Sequence, residues 1–376
     1  MTDLVLHIGS IKTASTYIQA VLHENVDRLE SAGWLIPDFL GGTHHYLIAL
    51  PFEPPPPYHL KLGWLDADQV SDLRRDLAQK FAQEVKPGRK WIITSERLSA
   101  HLNSDERVED LIGFLSQYFD RITVVFALRR QDFMLPSVYS QEIKAGTVPD
   151  WSLEWFERHD KMDRFDLLGM VRRWSRAVGE ENLVCVPYFE SDKSKPTVFL
   201  EKSLAAMGID FDQTWKLPDN ARAKNRSLSA EGAEFLKTVN PFIPRVMPDS
   251  NNNKIRSKMI RRVMEITDGP KMTFPPGPLV EIRQRYADDN QEVVERLGGG
   301  DEWQRWLEEP LKAGSAVEGF ELTAARTVEL MVETAVPNGP VDWGQPGGRP
   351  VKAQPANQAK KPSKKRLMTA IKRAVK

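Results

Sequence analysis

Up to about residue 215 the chain repeats one rhythm: a short apolar run, a few polar residues, then a stretch with helical spacing. "DLVLH" is followed by "YIQAVL", and "KWIITSE" by "VEDLIGFLSQYF". "RITVVFAL", the clearest buried run, is followed by "SVYSQEIKAG". "DLLGMVRRWSRAVG" then precedes the apolar "NLVCVPYF". Strands separated by helices cannot pair as hairpins. They imply an α/β fold with a central parallel sheet and crossover helices on its faces. In such a sheet ligands gather beyond the carboxyl ends of the strands, so the polar residues there carry the functional question.

Beyond Ile209 the strand signal fades, and "SAEGAEFLKTV", "SKMIRRVMEI", "LVEIRQRYADDNQEVVERL" and "AARTVELMVET" read as helices. We expect one domain over residues 1–335, with a core of about 1–215 and a helical region of about 216–335. Residues 336–359, rich in Pro, Gly, Gln and Asn, read as a flexible linker, and 360–376 as a basic tail. The 376 residues can bury a large core. Lys plus Arg and Asp plus Glu both total 52, so no net field favours nucleic acid as a partner. The single Cys185 excludes an internal disulfide framework and fits a reducing compartment. With no secretory leader or membrane-span pattern, a cytoplasmic protein is expected.

Two strand ends stand out. In "LHIGSIKTASTY" an apolar run leads into Lys12, Thr13, Ser15 and Thr16 before a helix. Amides at a helix start, with the positive end of its dipole, suit an anion, and lysine adds a cation. In "FALRRQDFMLPSVYSQ" Arg129 ends the best strand and Ser137 follows eight residues later, near a helix start. A guanidinium grips phosphate bidentately, and a nearby hydroxyl can add to the same oxygens. Consecutive side chains at a strand end diverge, so Arg129 rather than Arg130 is the expected ligand. Two anion sites on one sheet suit a ligand with two separated phosphate-like groups.

In these two motifs the sequence resembles the sulfotransferases that use 3′-phosphoadenosine 5′-phosphosulfate (PAPS), including bacterial members. "IKTASTY" is similar to their 5′-phosphosulfate loop, typically Pro-Lys-x-Gly-Thr-Thr, and "RRQDFMLPS" to their 3′-phosphate motif. "WIITSERLS" resembles the strand end that carries acid–base residues, and "FESDKSKP" a segment after a later strand. The resemblance covers roughly residues 4–300 and implies a P-loop-like fold. It implies that Lys12, the amides of Thr13, Ala14 and Ser15, and the Thr16 hydroxyl hold the 5′-phosphosulfate. Arg129 and Ser137 would hold the 3′-phosphate, and Tyr17 and Phe189 would lie near the adenine. Ile11 replaces the usual Pro and Ala14 the usual Gly, where a Cβ sits easily only at negative φ. PAPS is the expected co-substrate, with no metal.

Transfer to a hydroxyl or amine also needs a base near neutral pKa, for which the candidates are His44, His45 and Glu96. His45 is the expected base and Glu96 the alternative. A P-loop kinase is a rival reading, but Walker A needs Gly where Ile11 and Leu6 stand. A non-catalytic nucleotide-binding or membrane-tethered relative is another. The acceptor is expected to be a glycan, a lipid-linked sugar or a small metabolite, bordered by the Pro-rich segment 51–60 with Tyr58, His59 and Trp64. From Lys360 the tail carries eight Lys or Arg and no acid. Leu367 and Ile371 fall at helical spacing in it, a pattern that can lie on an anionic membrane surface.

Overall fold

The structure is a computed structural model that describes residues 1–10, 12–54, 66–150, 152–159, 161–218, 228–245, 253–267, 270, 272, 274–311 and 322–335. Ile11, Tyr58, His59, Trp64, the linker 336–359 and the tail 360–376 lie outside the described residues. Five strands form one parallel sheet: β1 (Asp3–His7), β2 (Trp34–Leu35), β3 (Lys90–Thr94), β4 (Arg121–Arg129) and β5 (Leu183–Tyr188). Their order is β2-β3-β1-β4-β5. The chain moves through β2 and β3 on one side of β1, then crosses to β4 and β5 on the other. The order of connections thus reverses at β1, the kind of position where ligands bind in parallel sheets. His7 pairs in register with Thr94 of β3 and Val125 of β4.

Residue alternation splits each strand between two cores, because successive side chains point to opposite faces. Leu4, Leu6, Trp91, Ile93, Val124, Phe126 and Leu128 face one side. There they meet α3 (Ala67–Glu84), α4 (Glu96–His101), α5 (Asp105–Leu115) and α8 (Leu167–Val178). Val5, Ile92, Val125, Ala127, Val186 and Tyr188 face the other, under α1 (Ser15–Glu24), α2 (Val26–Ser31) and α9 (Pro196–Ala206). Helix α3 starts cleanly because Asp66 and Gln69 form a reciprocal capping box, both bonds at 2.9 Å.

A third core is helical. It joins α6 (Gln131–Ala145) and α7 (Leu153–Arg158) to α10 (Ala230–Val239), α11 (Lys254–Ile266), α12 (Pro276–Arg285) and α15 (Ala324–Ala335). Helix α6 starts directly after β4, six residues earlier than "SVYSQEIKAG" suggests. "LVEIRQRYADDNQEVVERL" is two helices, α12 and α13 (Ala287–Arg296), separated at Tyr286. The break has a packing reason. Ile282 belongs to the helical core, whereas Val293 and Val294 return to the sheet with Trp303 and Trp306 of α14 (Asp301–Glu308).

Candidate active site

The loop between β1 and α1 holds two of the three left-handed residues with a Cβ among the described residues. Among the described residues only Lys12 (φ 65°), Ala14 (φ 59°) and His45 (φ 39°) combine a side chain with positive φ. Each left-handed residue with a Cβ costs roughly 1–2 kcal/mol, and such strain concentrates where geometry serves function. Ala14 therefore departs from the negative φ expected for a residue with a Cβ. It is the N-cap of α1 and gives no side-chain cap to the helix. Gly9 (φ +58°) is required by crowding as well, since a Cβ there would stand 3.2 Å from both Glu96 Cα and Ser15 Cβ. Thr13 Oγ1 donates to the Ser10 carbonyl at 2.9 Å and so braces the loop from within.

Parallel pairing of β1 and β3 brings the start of α4 beside this loop, and Ser15 Oγ donates to Glu96 Oε2 at 2.6 Å. Glu96 also faces Lys12. Burial holds the Lys12 ammonium below the ordinary lysine pKa; Glu96 opposes that shift, while Arg129 and Arg164 add to it. A fourth cation, Lys144 on α6, is pushed down to about 8 by burial and by the charge of Lys12. Neither Lys144 nor Arg164 carried a motif in the sequence. Lys144 reaches this field because α6 runs off the end of β4, and Arg164, in the 3-10 turn Met162–Phe165, is held beside it by its hydrogen bond to Glu142 of α6 at 2.7 Å.

Arg129, 3% exposed, occupies the neighbouring strand end. Its Nη1 donates to the Lys12 carbonyl at 3.0 Å and to Ser137 Oγ at 3.1 Å. Nη2 forms an ion pair with Glu190, and the guanidinium lies 5.5 Å from the centroid of the Tyr188 ring. Its Nε is buried with no hydrogen-bond partner among the described residues. A buried unpaired donor on a cation is costly, so this edge of the guanidinium suits an anion. Lys12, Thr13, Ala14, Ser15, Glu96, Arg129 and Ser137 thus form one connected surface across the ends of β1, β3 and β4.

The other expected residues fall elsewhere. His45, 1% exposed, is fastened inside the fold: its Nδ1 accepts from the Thr94 amide at 2.9 Å and the ring also hydrogen-bonds to the Pro37 backbone. Burial pushes its pKa down to about 3. A neutral imidazole already committed to backbone partners does not fit the part of the expected base, and the reason is three-dimensional. Residues 42–52 wind through three short 3-10 turns that press it against β3. His44 is exposed and its Nδ1 bonds Gln19 Oε1 of α1 at 2.5 Å. Thr16 and Tyr17 are half-buried in the first turn of α1, Tyr17 against the Tyr188 core. Phe189 lies on the opposite face, with Arg305 4.2 Å and Lys202 5.2 Å from its ring centroid. Tyr188, one residue earlier, is the aromatic ring beside Arg129, whereas Phe189 faces the other side of the sheet. Sequence reasoning missed Glu190 as well.

No protein-family model matches the chain, and no curated protein matches it. Among solved structures it is similar to a sulfotransferase from Alicyclobacillus acidocaldarius, with 13% identity and a TM-score of 0.34 over 58% of this chain and 88% of that one. Among the described residues no helix is long and apolar enough to cross a membrane.

Proposed function

We propose that the chain is a PAPS-dependent sulfotransferase acting on a hydroxyl or amine of a glycan, a lipid-linked sugar or a small metabolite. The observation that carries this reading is the hydrogen bond from Arg129 Nη1 to the Lys12 carbonyl. It joins two groups suited to anions, one per strand end, as a nucleotide with phosphate-like groups on both the 3′ and the 5′ side of its ribose would need. A kinase would need only one of them. The uncapped start of α1 and the Lys12 ammonium take the 5′-phosphosulfate, and the Nε side of Arg129 takes the 3′-phosphate.

In the reaction the acceptor oxygen or nitrogen forms a bond to sulfur as the bond from sulfur to the 5′-phosphate oxygen breaks. Adenosine 3′,5′-bisphosphate leaves, and the acceptor proton passes to a base. By analogy with phosphoryl transfer the transition state is loose and in line, with charge growing on the leaving oxygen. Lys12 neutralises that charge. We assign the proton to Glu96, a reading supported by Ser15 Oγ holding its carboxylate at the loop while His45 is committed to the backbone of β3.

Two measurements test this. Adenosine 3′,5′-bisphosphate is expected to raise the melting temperature strongly, with little effect from ATP and Mg²⁺. The reverse order would establish a kinase-like site. With labelled donor and a panel of glycan, lipid and phenol acceptors, Glu96→Gln is expected to lower turnover by about 10²–10⁴ while keeping the bisphosphate melting shift. Full turnover in that variant would remove Glu96 as the base.

A further inference from the structure

The edge of Arg129 that the donor requires is already half taken. Both Nη1 contacts are internal, to the Lys12 carbonyl and Ser137, so the fork open to a bidentate anion is the edge formed by Nε and Nη2. Glu190 reaches that edge with one oxygen, Oε1, at Nη2 and leaves Nε without a partner. A carboxylate placed to match a guanidinium fork satisfies both nitrogens. This one reaches only Nη2, as an ion pair between two buried side chains.

The backbone beneath Glu190 is clamped. The Glu309 carboxylate accepts from the amides of Ser191 at 2.9 Å and Glu190 at 3.2 Å. The Glu309 carbonyl in turn accepts from Arg130 Nη2 at 2.6 Å. Because the turn is held from behind, displacing Glu190 from Arg129 asks for a side-chain rotation and no movement of the strand end. A dianionic phosphate and a carboxylate cannot share one buried guanidinium edge without strong like-charge repulsion.

On the reading that this site takes PAPS, we propose that the Glu190 carboxylate is a resident stand-in for the donor's 3′-phosphate and is displaced from Arg129 when the donor binds. Glu190 is then a specificity-determining residue. It neutralises Arg129 between turnovers, and it sets how much better than a carboxylate the incoming group must be. Ligands without a 3′-phosphate leave the ion pair intact and gain nothing from Arg129. The 3′-phosphate gains a bidentate contact and loses the free energy of the pair it breaks.

The test is calorimetric binding of adenosine 3′,5′-bisphosphate and of adenosine 5′-monophosphate to the full chain. Glu190→Gln removes the competing charge and is expected to tighten the bisphosphate about tenfold, the scale of one charge-assisted contact, with the monophosphate unchanged within about twofold. Glu190→Asp keeps the charge but withdraws it by one methylene, and is expected to tighten the bisphosphate by a few-fold. It covers the case in which the glutamine variant fails to fold. Weaker or unchanged bisphosphate binding in these variants, with Arg129→Ala still weakening it relative to wild type, would overturn the stand-in and make Glu190 a positioning partner of Arg129. If wild type binds both nucleotides equally and Arg129→Ala changes neither, the donor reading itself fails and the stand-in fails with it.

Discussion

At the end of β4 the chain sends Arg129 to one face of the sheet and Arg130 to the other, and the two faces treat their arginine in opposite ways. Arg130, 2% exposed, is saturated. It grips Asp132 through Nε and Nη2, both at 2.8 Å, and donates to the carbonyls of Trp306, Leu307 and Glu309. All five of its donors have acceptors, so there is nothing left to offer a ligand. It fastens the end of α14 to the strand, helped by Trp306 Nε1 donating to the Leu128 carbonyl at 3.0 Å. Arg129 is equally buried and keeps an unpaired Nε. Burial by itself does not separate the two arginines of this strand end; the tally of unsatisfied donors does.

The comparison predicts that damage on the α14 face is read in stability and damage on the loop face in turnover. The largest expected effect is Arg130→Met, which leaves Asp132 buried without its partner and is expected to lower unfolding free energy by about 3–5 kcal/mol in urea titration. A loss below about 1 kcal/mol would show that the two faces do not divide the work in this way. On the loop face, Lys12→Ala is expected to reduce turnover about 10²–10³-fold, the scale of losing one preorganised donor to developing charge. Its unfolding midpoint is expected to stay close to wild type, because Lys12 is half-buried and already below its ordinary pKa.

Acid sharpens the comparison at the next scale down. His7 and His45 both fasten Thr94, His7 through the hydroxyl at 2.8 Å and His45 through the amide. Burial pushes their pKa values down to about 4 and about 3. A folded-state pKa below the unfolded one means that the unfolded chain binds the proton first as pH falls. Stability is therefore full near neutrality and is lost on descending through the ordinary histidine range. Each residue is expected to contribute about 2 kcal/mol of loss between pH 7 and pH 5. His45→Gln is expected to remove about half of that slope. If turnover disappears at pH 5 while the urea midpoint holds, the acid sensitivity belongs to a catalytic group instead.

Much of this architecture is local in origin, and that part is legible in the sequence. The buried run of β4 is continuous because both its faces are covered, and the Arg129–Ser137 spacing is short enough to be set by one strand end and one helix start. Three other features depend on distance in sequence. His45 reads as a loop histidine until three consecutive turns fold it onto β3. Tyr188 and Phe189 differ by one residue, so which ring faces Arg129 depends on the register of β5 against β4, where Arg129 pairs with Tyr188. The clamp on Glu190 comes from Glu309, 119 residues further along the chain. No window of sequence contains both halves of that contact.

The smallest expected effect tests whether the loop is strained as the backbone indicates. Ala14 has φ 59° and ψ 22°, a left-handed conformation that disfavours a Cβ by about 1–2 kcal/mol. Glycine removes that cost but gives the unfolded chain more freedom, which offsets roughly 0.5–1 kcal/mol. Ala14→Gly is therefore expected to be neutral to slightly stabilising, by up to about 1 kcal/mol, with bisphosphate binding maintained or improved. Ala20 lies inside α1, where the same change has no strain to relieve and is expected to destabilise by about 1 kcal/mol. The two substitutions are chemically identical and only six residues apart, so their difference isolates the backbone conformation at the start of the helix. Equal losses in urea titration would mean that Ala14 is not held in the left-handed region, and the start of α1 would then carry no backbone strain at this position.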